Sequence, residues 1–216
     1  MPMSNLFLAG GVVMFPLLGF SILAMALILE RTIFWSQVAQ KQNKLIQEIL
    51  ALYRSNARAA FQKLEQNAHL PMARIFLAAL ELDQATPDEF RLALESAAQA
   101  ELPLLKRFNT VFDTVISVAP LLGLLGTVLG LIQSFSSLRL GDLGGTETTG
   151  VTAGISEALI STAFGLVVAI VTLLFANTFR GLYQRQIALI QEYGGQIELL
   201  YRRRKDRGGT PYATPK

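Results

Sequence analysis

Three uncharged apolar runs divide the chain: residues 6–29 (LFLAGGVVMFPLLGFSILAMALIL), 114–132 and 158–179. About 20 predominantly apolar residues carry a helix across a bilayer, so each run predicts a transmembrane helix. No Lys or Arg precedes the first run, and it is longer than the apolar part of a signal peptide, so it reads as a retained span. Pro16 is a candidate kink within it, which membrane helices tolerate. Glu30, Arg31 and Trp35 follow at once, as at a membrane interface with an aromatic anchor.

Between the first two spans the pattern changes. Over 30–113 apolar residues recur at helical spacing among charges: Leu45, Ile49, Leu52; Phe61, Leu64; Ile75, Phe76, Leu80; Phe90, Leu94, Ala97. This predicts a water-exposed helical region. Pro71 separates two helices in it. Thr86-Pro87-Asp88-Glu89 carries three agreeing helix-start signals: a cap, a proline at the first helical position and a capping-box glutamate. Pro103 predicts a bend before the next span, or a helix that re-forms there. Glu81, Asp83, Asp88, Glu89, Glu95 and Glu101 read as a solvated face, the alternative being a surface for a cytoplasmic partner. Residues 133–156 are a Gly/Ser/Thr-rich connection. Over 180–205 a helix continues with Leu182, Ile187, Leu189, Ile190, Ile197 and Leu200, and 206–216 lack the apolar content to fold. The predicted fold is an all-α integral membrane protein with three transmembrane helices and a cytoplasmic helical region, the second and third long helices extending into the cytoplasm.

Composition agrees. Of 216 residues 51% are apolar and 16% charged, against nearer a quarter charged in soluble domains, and the mean hydropathy is +0.41. With no cysteine, disulfides and thiolate metal sites are excluded, and the one histidine, His69, sits in a polar stretch and reads as a surface residue. No cofactor, metal site or nucleic-acid partner is expected. Charge distribution predicts the orientation. Ten Lys/Arg lie between Arg31 and Arg107 and eight over 180–216, but only Arg139 lies between the second and third spans and none in residues 1–5. The positive-inside rule then places the N-terminus (1–5) and the 133–156 connection outside, and the helical region and basic tail inside. That basic cluster is a candidate contact for anionic lipid.

Candidate chemistry lies on two stripes. In APLLGLLGTVLGLIQSF (119–135), Pro120, Gly123, Thr127, Gly130 and Ser134 share one helical face, and Gly126 with Gly130 has GxxxG spacing. In the third span Thr162, Gly165, Ala169, Thr172 and Ala176 form a second small, hydroxyl-bearing stripe, with Glu157 and Ser161 toward the same side. Two spans joined by a short connection are antiparallel neighbours. Their stripes either bury each other as a packing seam or face a conduit, and three helices are few to enclose one without further subunits. An acid at a span's edge is costly unless it faces water or a partner, which singles out Glu157. Burial would raise its pKa and a nearby cation would lower it. Thr and Ser cannot carry protons at ordinary pH, and neither span holds a titratable group at mid-membrane depth. A proton-driven device built on this chain would therefore need an acid from another chain.

At these residues the chain resembles the ExbB/TolQ family, relatives of the MotA flagellar stator subunit. The stretches 119–135 and ISEALISTAFGLVVAI…AN (155–177) are similar to its two signature helices, and the three-span layout resembles ExbB and TolQ rather than four-span MotA. The resemblance implies a homopentamer whose second and third spans line a pore. That pore would hold the helix of an ExbD/TolR-like one-span partner, whose acid takes the proton, and the work would pass to a TonB- or TolA-like protein. It also implies that Thr127 and Thr162 lie near the partner's acid, that Glu157 is the acid of the third-span motif, and that Asn177 is the asparagine closing it. Family members commonly have AIPA where this chain has AIVT (169–172), so Val171 replaces a proline. The expected function is an inner-membrane, ExbB-like stator and proton-channel subunit energising TonB-dependent outer-membrane transport. The alternatives are a TolQ-like role in envelope maintenance and a stand-alone ion channel. No nucleophile–base pair lies within the spans to suggest an enzyme.

Overall fold

The computed structural model describes residues 9–82, 84–137 and 147–206. Over these the fold is helical without strands: α1 (Met14–Ser55), α2 (Ala57–Glu65), α3 (Pro71–Leu80), α4 (Pro87–Leu105), α5 (Asn109–Ser137) and α6 (Glu147–Asp206). Helices α1, α5 and α6 are long and apolar enough to cross a membrane. The chain divides into two compact units, Met1–Arg31 with Phe108–Thr178, and Thr32–Arg107 with Phe179–Lys216.

The first unit holds the apolar parts of α1, α5 and α6. Helix α1 starts at Met14, after a turn in which the amide of Met14 donates to the Gly11 carbonyl at 3.2 Å. Pro16 therefore lies in the first turn, where its missing N–H would have had no partner within the helix, and it need not kink the span. Val13, Met14 and Leu17 pack against Ala119 of α5 and Ala169 of α6 in a buried cluster, with Leu122 and Val168 at its edge. Large side chains cover the outside, among them Ile22, Leu29, Leu121, Ile132, Leu159 and Leu174. An outer face this apolar suits lipid or neighbouring helices rather than water.

The second unit is a helical assembly with its own core. Its predicted apolar faces are buried: Ile49, Phe61, Leu64, Ile75, Phe76, Leu80, Phe90 and Leu94. Asn56 caps α2 through its side chain, and Pro71 opens α3. Thr86 and Glu89 form the full capping box: the Glu89 amide donates to Thr86 Oγ1 at 3.2 Å, and the Thr86 amide donates to Glu89 Oε2 at 2.6 Å. These bonds hold the Glu89 carboxyl below its ordinary pKa, the Thr86 backbone amide contributing most. Pro103 lies inside α4, which ends two residues later. Phe108 then takes a positive φ of 69°, and α5 begins at Asn109.

Helix α6 is 60 residues long, about 90 Å at 1.5 Å per residue. Its stretch in the second unit buries Phe179, Tyr183, Gln186, Ile190, Tyr193, Ile197 and Tyr201, spaced alternately three and four apart but for the last step. Tyr201 stacks on Phe90 with centroids 4.0 Å apart, and its hydroxyl donates to the Ala85 carbonyl at 2.7 Å.

Four expectations from sequence change here. Glu101 does not belong to the solvated face. It is buried, and Arg74 donates to both of its carboxylate oxygens at 2.6 Å. Trp35 is not an exposed interfacial anchor. It is buried beside a cavity of about 60 Å³ also lined by Gln42, Leu182, Arg185 and Gln186. The 133–156 stretch is not all connection, since 133–137 end α5 and 147–156 open α6. The basic cluster at the end of α6 also meets its own chain. Arg202 pairs with Glu198 and Asp88, Arg204 donates to the Tyr53 carbonyl, and Lys205 donates to the Ala85 carbonyl. Asp83 and residues 207–216 lie outside the described residues, as do residues 1–8 and 138–146.

Candidate functional site

The two small-residue stripes meet. Helix α5 lies antiparallel to α6, with contacts that climb one helix as they descend the other. A Cβ on Gly165 would lie 2.5 Å from the Ala119 carbonyl oxygen, one on Gly123 would lie 3.0 Å from the Ser161 carbonyl oxygen, and one on Gly130 would lie 2.5 Å from the Gly154 carbonyl oxygen. Gly126 receives the Ser161 side chain, and Gly154 receives that of Ser134. Main chain therefore touches main chain over more than three helical turns. Glycine is unfavourable in a helix by about 1 kcal/mol relative to alanine, and this close approach is what it secures.

Hydroxyls in the seam are satisfied by carbonyls. Ser134 Oγ donates toward Gly130 and Val151 at 3.0 and 3.1 Å, and Ser161 Oγ toward Ala158 at 3.0 Å. Thr172 donates to the Val168 carbonyl at 2.7 Å. Such bonds remove the cost of burying a hydroxyl, so these side chains are stable where water is absent.

Burial sorts the candidate residues into two sets. Gly123, Gly126, Gly130, Ser134, Ser161, Gly165, Ala169 and Thr172 are buried within this one chain. Thr127, Glu157 and Thr162 are only half-buried, and Asn177 is exposed. Thr162 Oγ1 crosses the seam to the Gly123 carbonyl at 3.0 Å, whereas Thr127 Oγ1 stays on its own helix, at 2.6 Å from the Leu124 carbonyl oxygen. No hydrogen bond joins the two threonines among the described residues. Thr127 and Thr162 thus leave polar atoms along one margin of the glycine seam, while Glu157 lies on its α1 side and Asn177 is exposed farther along α6.

Helix α1 supplies a part that the sequence reading did not include. Gly11 adopts φ +71°, and the Glu157 side chain lies in the space that a Cβ on Gly11 would fill. Gly10 lies beside Ile160, and Val13 approaches Gly126. The available signal was the Gly10-Gly11 pair ahead of Val13, Met14 and Leu17, apolar residues at helical spacing.

The arrangement is a closely packed pair of helices with hydroxyls along one margin and a carboxylate on the α1 side. Residues 114–133 and 158–177 contain no ionisable side chain, so no proton can be relayed through these segments on the chain's own groups. Among the described residues no group of three or more His, Cys, Asp or Glu side chains could hold a metal ion. What the edge can do is orient water or a partner's acid by hydrogen bonds in a low-dielectric setting.

Comparison with known proteins adds a family. Residues 67–192, which include α5 and the membrane part of α6, match the MotA/TolQ/ExbB proton channel family. The chain is similar to biopolymer transport protein ExbB-like 3 of Synechocystis sp., with 68% identity over 200 residues covering 93% of this chain and 95% of that protein. It is 41% identical over 197 residues to ExbB-like 1 of the same organism, covering 91% of this chain and 78% of that protein. The Tol-Pal system protein TolQ of Haemophilus influenzae is 37% identical over 108 residues, 49% of this chain and 44% of that one.

Proposed function

The chain belongs to the MotA/TolQ/ExbB proton channel family, and from that premise we propose that it is the ExbB-like stator and proton-channel subunit of a motor driven by the proton-motive force. The observation that carries this reading is the half-buried hydroxyl edge of Thr127 and Thr162, with half-buried Glu157 on the α1 side of the seam, beside spans that hold no mid-membrane acid. Such an edge is an incomplete proton path. It is completed by a partner helix that brings a carboxylate.

In this reading several copies, five by family resemblance, surround the transmembrane helix of an ExbD/TolR-like protein in the inner membrane. The N-terminus faces outward and the second unit lies in the cytoplasm. A proton crossing 100 mV releases about 2.3 kcal/mol, enough to bias one rotational state of the partner over the next. The work goes to a TonB-like protein and energises outer-membrane transport. Similarity to a TolQ supports a second reading, in which the receiver is TolA-like and the role is envelope maintenance.

The test is reconstitution. The chain alone and the chain with an ExbD/TolR-like one-span protein are placed in liposomes, and proton flux is followed under an imposed gradient. Flux that requires the partner and its membrane acid is the expected result. Equal flux from the chain alone would make it a stand-alone channel. Loss of energised uptake through the outer membrane on deletion of the gene, or its retention with an envelope defect, separates the ExbB-like from the TolQ-like role.

A further inference from the structure

We propose that Gly11 is a positioning residue for Glu157, placing the entry turn of the first membrane helix in control of where the third helix's carboxylate sits. The proposal rests on the reading of Glu157 as part of the proton path. Three observations within the first unit carry it. Gly11 has φ +71°, a conformation that L side chains rarely adopt. A Cβ built there would lie 1.6 Å from Glu157 Oε1 and 2.4 Å from its Cδ, so the carboxylate occupies the volume that glycine leaves open. The turn itself is fixed on both sides. The Gly11 carbonyl accepts from the Met14 amide at 3.2 Å, and Met14 with Val13 and Leu17 is buried against Ala119 and Ala169.

The consequence is mechanical. The Glu157 side chain has several rotatable bonds, and on a bare helix it would sample the whole edge of the seam. With the Gly11 turn anchored beneath it, one placement is accommodated without a side chain in the way. Glu157 is half-buried in that placement, folded over α1 while still reachable from outside the chain. Any movement of the α1 entry relative to α6 moves the carboxylate with it. The first span, which supplies no polar group of its own to the edge, thereby acts on the proton path through a position with no side chain.

The experiment compares Gly11→Ala, Glu157→Gln and wild type in the full complex with its one-span partner, measuring partner-dependent proton flux across a range of pH. Gly11→Ala is expected to lower flux at least tenfold and to displace the midpoint of the pH profile, because the carboxylate is moved to new surroundings. A loss uniform at every pH, or no loss, overturns the proposal. The contact is tested separately by thermal melting of Gly11→Ala, Glu157→Ala and the double variant. The shift caused by Gly11→Ala should shrink when Glu157 is truncated, and additive shifts overturn the proposal. Should Gly11→Ala fail to assemble, adding Glu157→Asp retracts the carboxylate and should restore assembly, and failure to restore it overturns the proposal. Full flux in Glu157→Gln would instead defeat the role assigned to Glu157, while the melting cycle still decides whether Gly11 positions it.

Discussion

Thr162 Oγ1 donates to the Gly123 carbonyl at 3.0 Å, joining the two membrane helices at the half-buried margin of their seam. One hydroxyl thus links the packed interior to the half-buried edge that the proposed function assigns to a partner. Thr162→Ala is expected to leave the oligomer intact by native mass spectrometry, since a half-buried neutral hydrogen bond contributes only about 1 kcal/mol. Energised transport should fall at least tenfold. Transport at the wild-type level would remove Thr162 from the proton path.

Glycines on this chain should divide sharply by position. Gly130→Ala puts a Cβ 2.5 Å from the Gly154 carbonyl oxygen, so main chain must shift, at a cost of about 1–3 kcal/mol. Gly194→Ala meets nothing within 4 Å and should stabilise the helix by about 0.5–1 kcal/mol. Melting temperatures of the two purified variants, shifted in opposite directions, are the check. Gly126→Leu and Gly130→Leu should prevent assembly altogether.

Gln42 Nε2 donates to Gln186 Oε1 at 2.9 Å, and both side chains are buried, leaving Gln42 Oε1 and Gln186 Nε2 without hydrogen-bond partners among the described residues. Replacing one glutamine strands the other amide. Gln42→Leu is expected to cost about 1–3 kcal/mol, whereas Gln42→Leu with Gln186→Leu should be neutral or stabilising. Chemical denaturation of the three variants would show whether the double change recovers what the single one loses.

The capping box gives a pH signature. Because the native Glu89 carboxyl is depressed, its stabilisation is present above the ordinary glutamate range near pH 4 and is lost as pH falls through the lower native value. Thr86→Ala should cost about 1 kcal/mol at pH 7, and less at pH 3. Helical content followed by circular dichroism during melts at the two pH values tests this, and no cost at either would exclude the capping role.

Arg74 and Glu101 join α3 to α4 by a two-pronged ion pair, while Arg74 Nη1 also donates to the Ala68 and His69 carbonyls at 3.1 Å. The hydrogen bond to Glu101 raises the guanidinium's pKa, so Arg74 stays charged across the physiological range. Glu101→Ala is expected to destabilise the second unit by about 2 kcal/mol. Limited proteolysis should then cut near α2 and α3 sooner than in wild type.

Legibility in the sequence followed the strength of the local signal. The spans were readable because an uncharged run of membrane length has few other uses. Thr86 and Glu89 were readable because a capping box is satisfied within four residues. Glu101 was not, since its partner lies 27 residues away and a carboxylate on a helix looks alike whether solvated or paired. The same holds for Arg204, whose acceptor is the carbonyl of Tyr53, and for Tyr183, Tyr193 and Tyr201, whose seam becomes visible only once aromatic residues are counted with the aliphatic ones. At the candidate site, spacing placed small residues on two faces but could not say whether those faces met. The carbonyl contacts at Gly130 and Gly165 supply that answer for a single chain. Gly11 stayed hidden because its importance is a φ angle and a neighbour 146 positions distant, neither of which leaves a mark in local composition.

The backbone contacts along α5 and α6 have a consequence for motion. Rotating one helix against the other by one residue, about 100°, would turn Leu129 or Leu131 into spaces only wide enough for hydrogen atoms. The pair is a keyed joint, locked against rotation of one helix on the other. Any rotation of one of these helices must therefore carry the other with it.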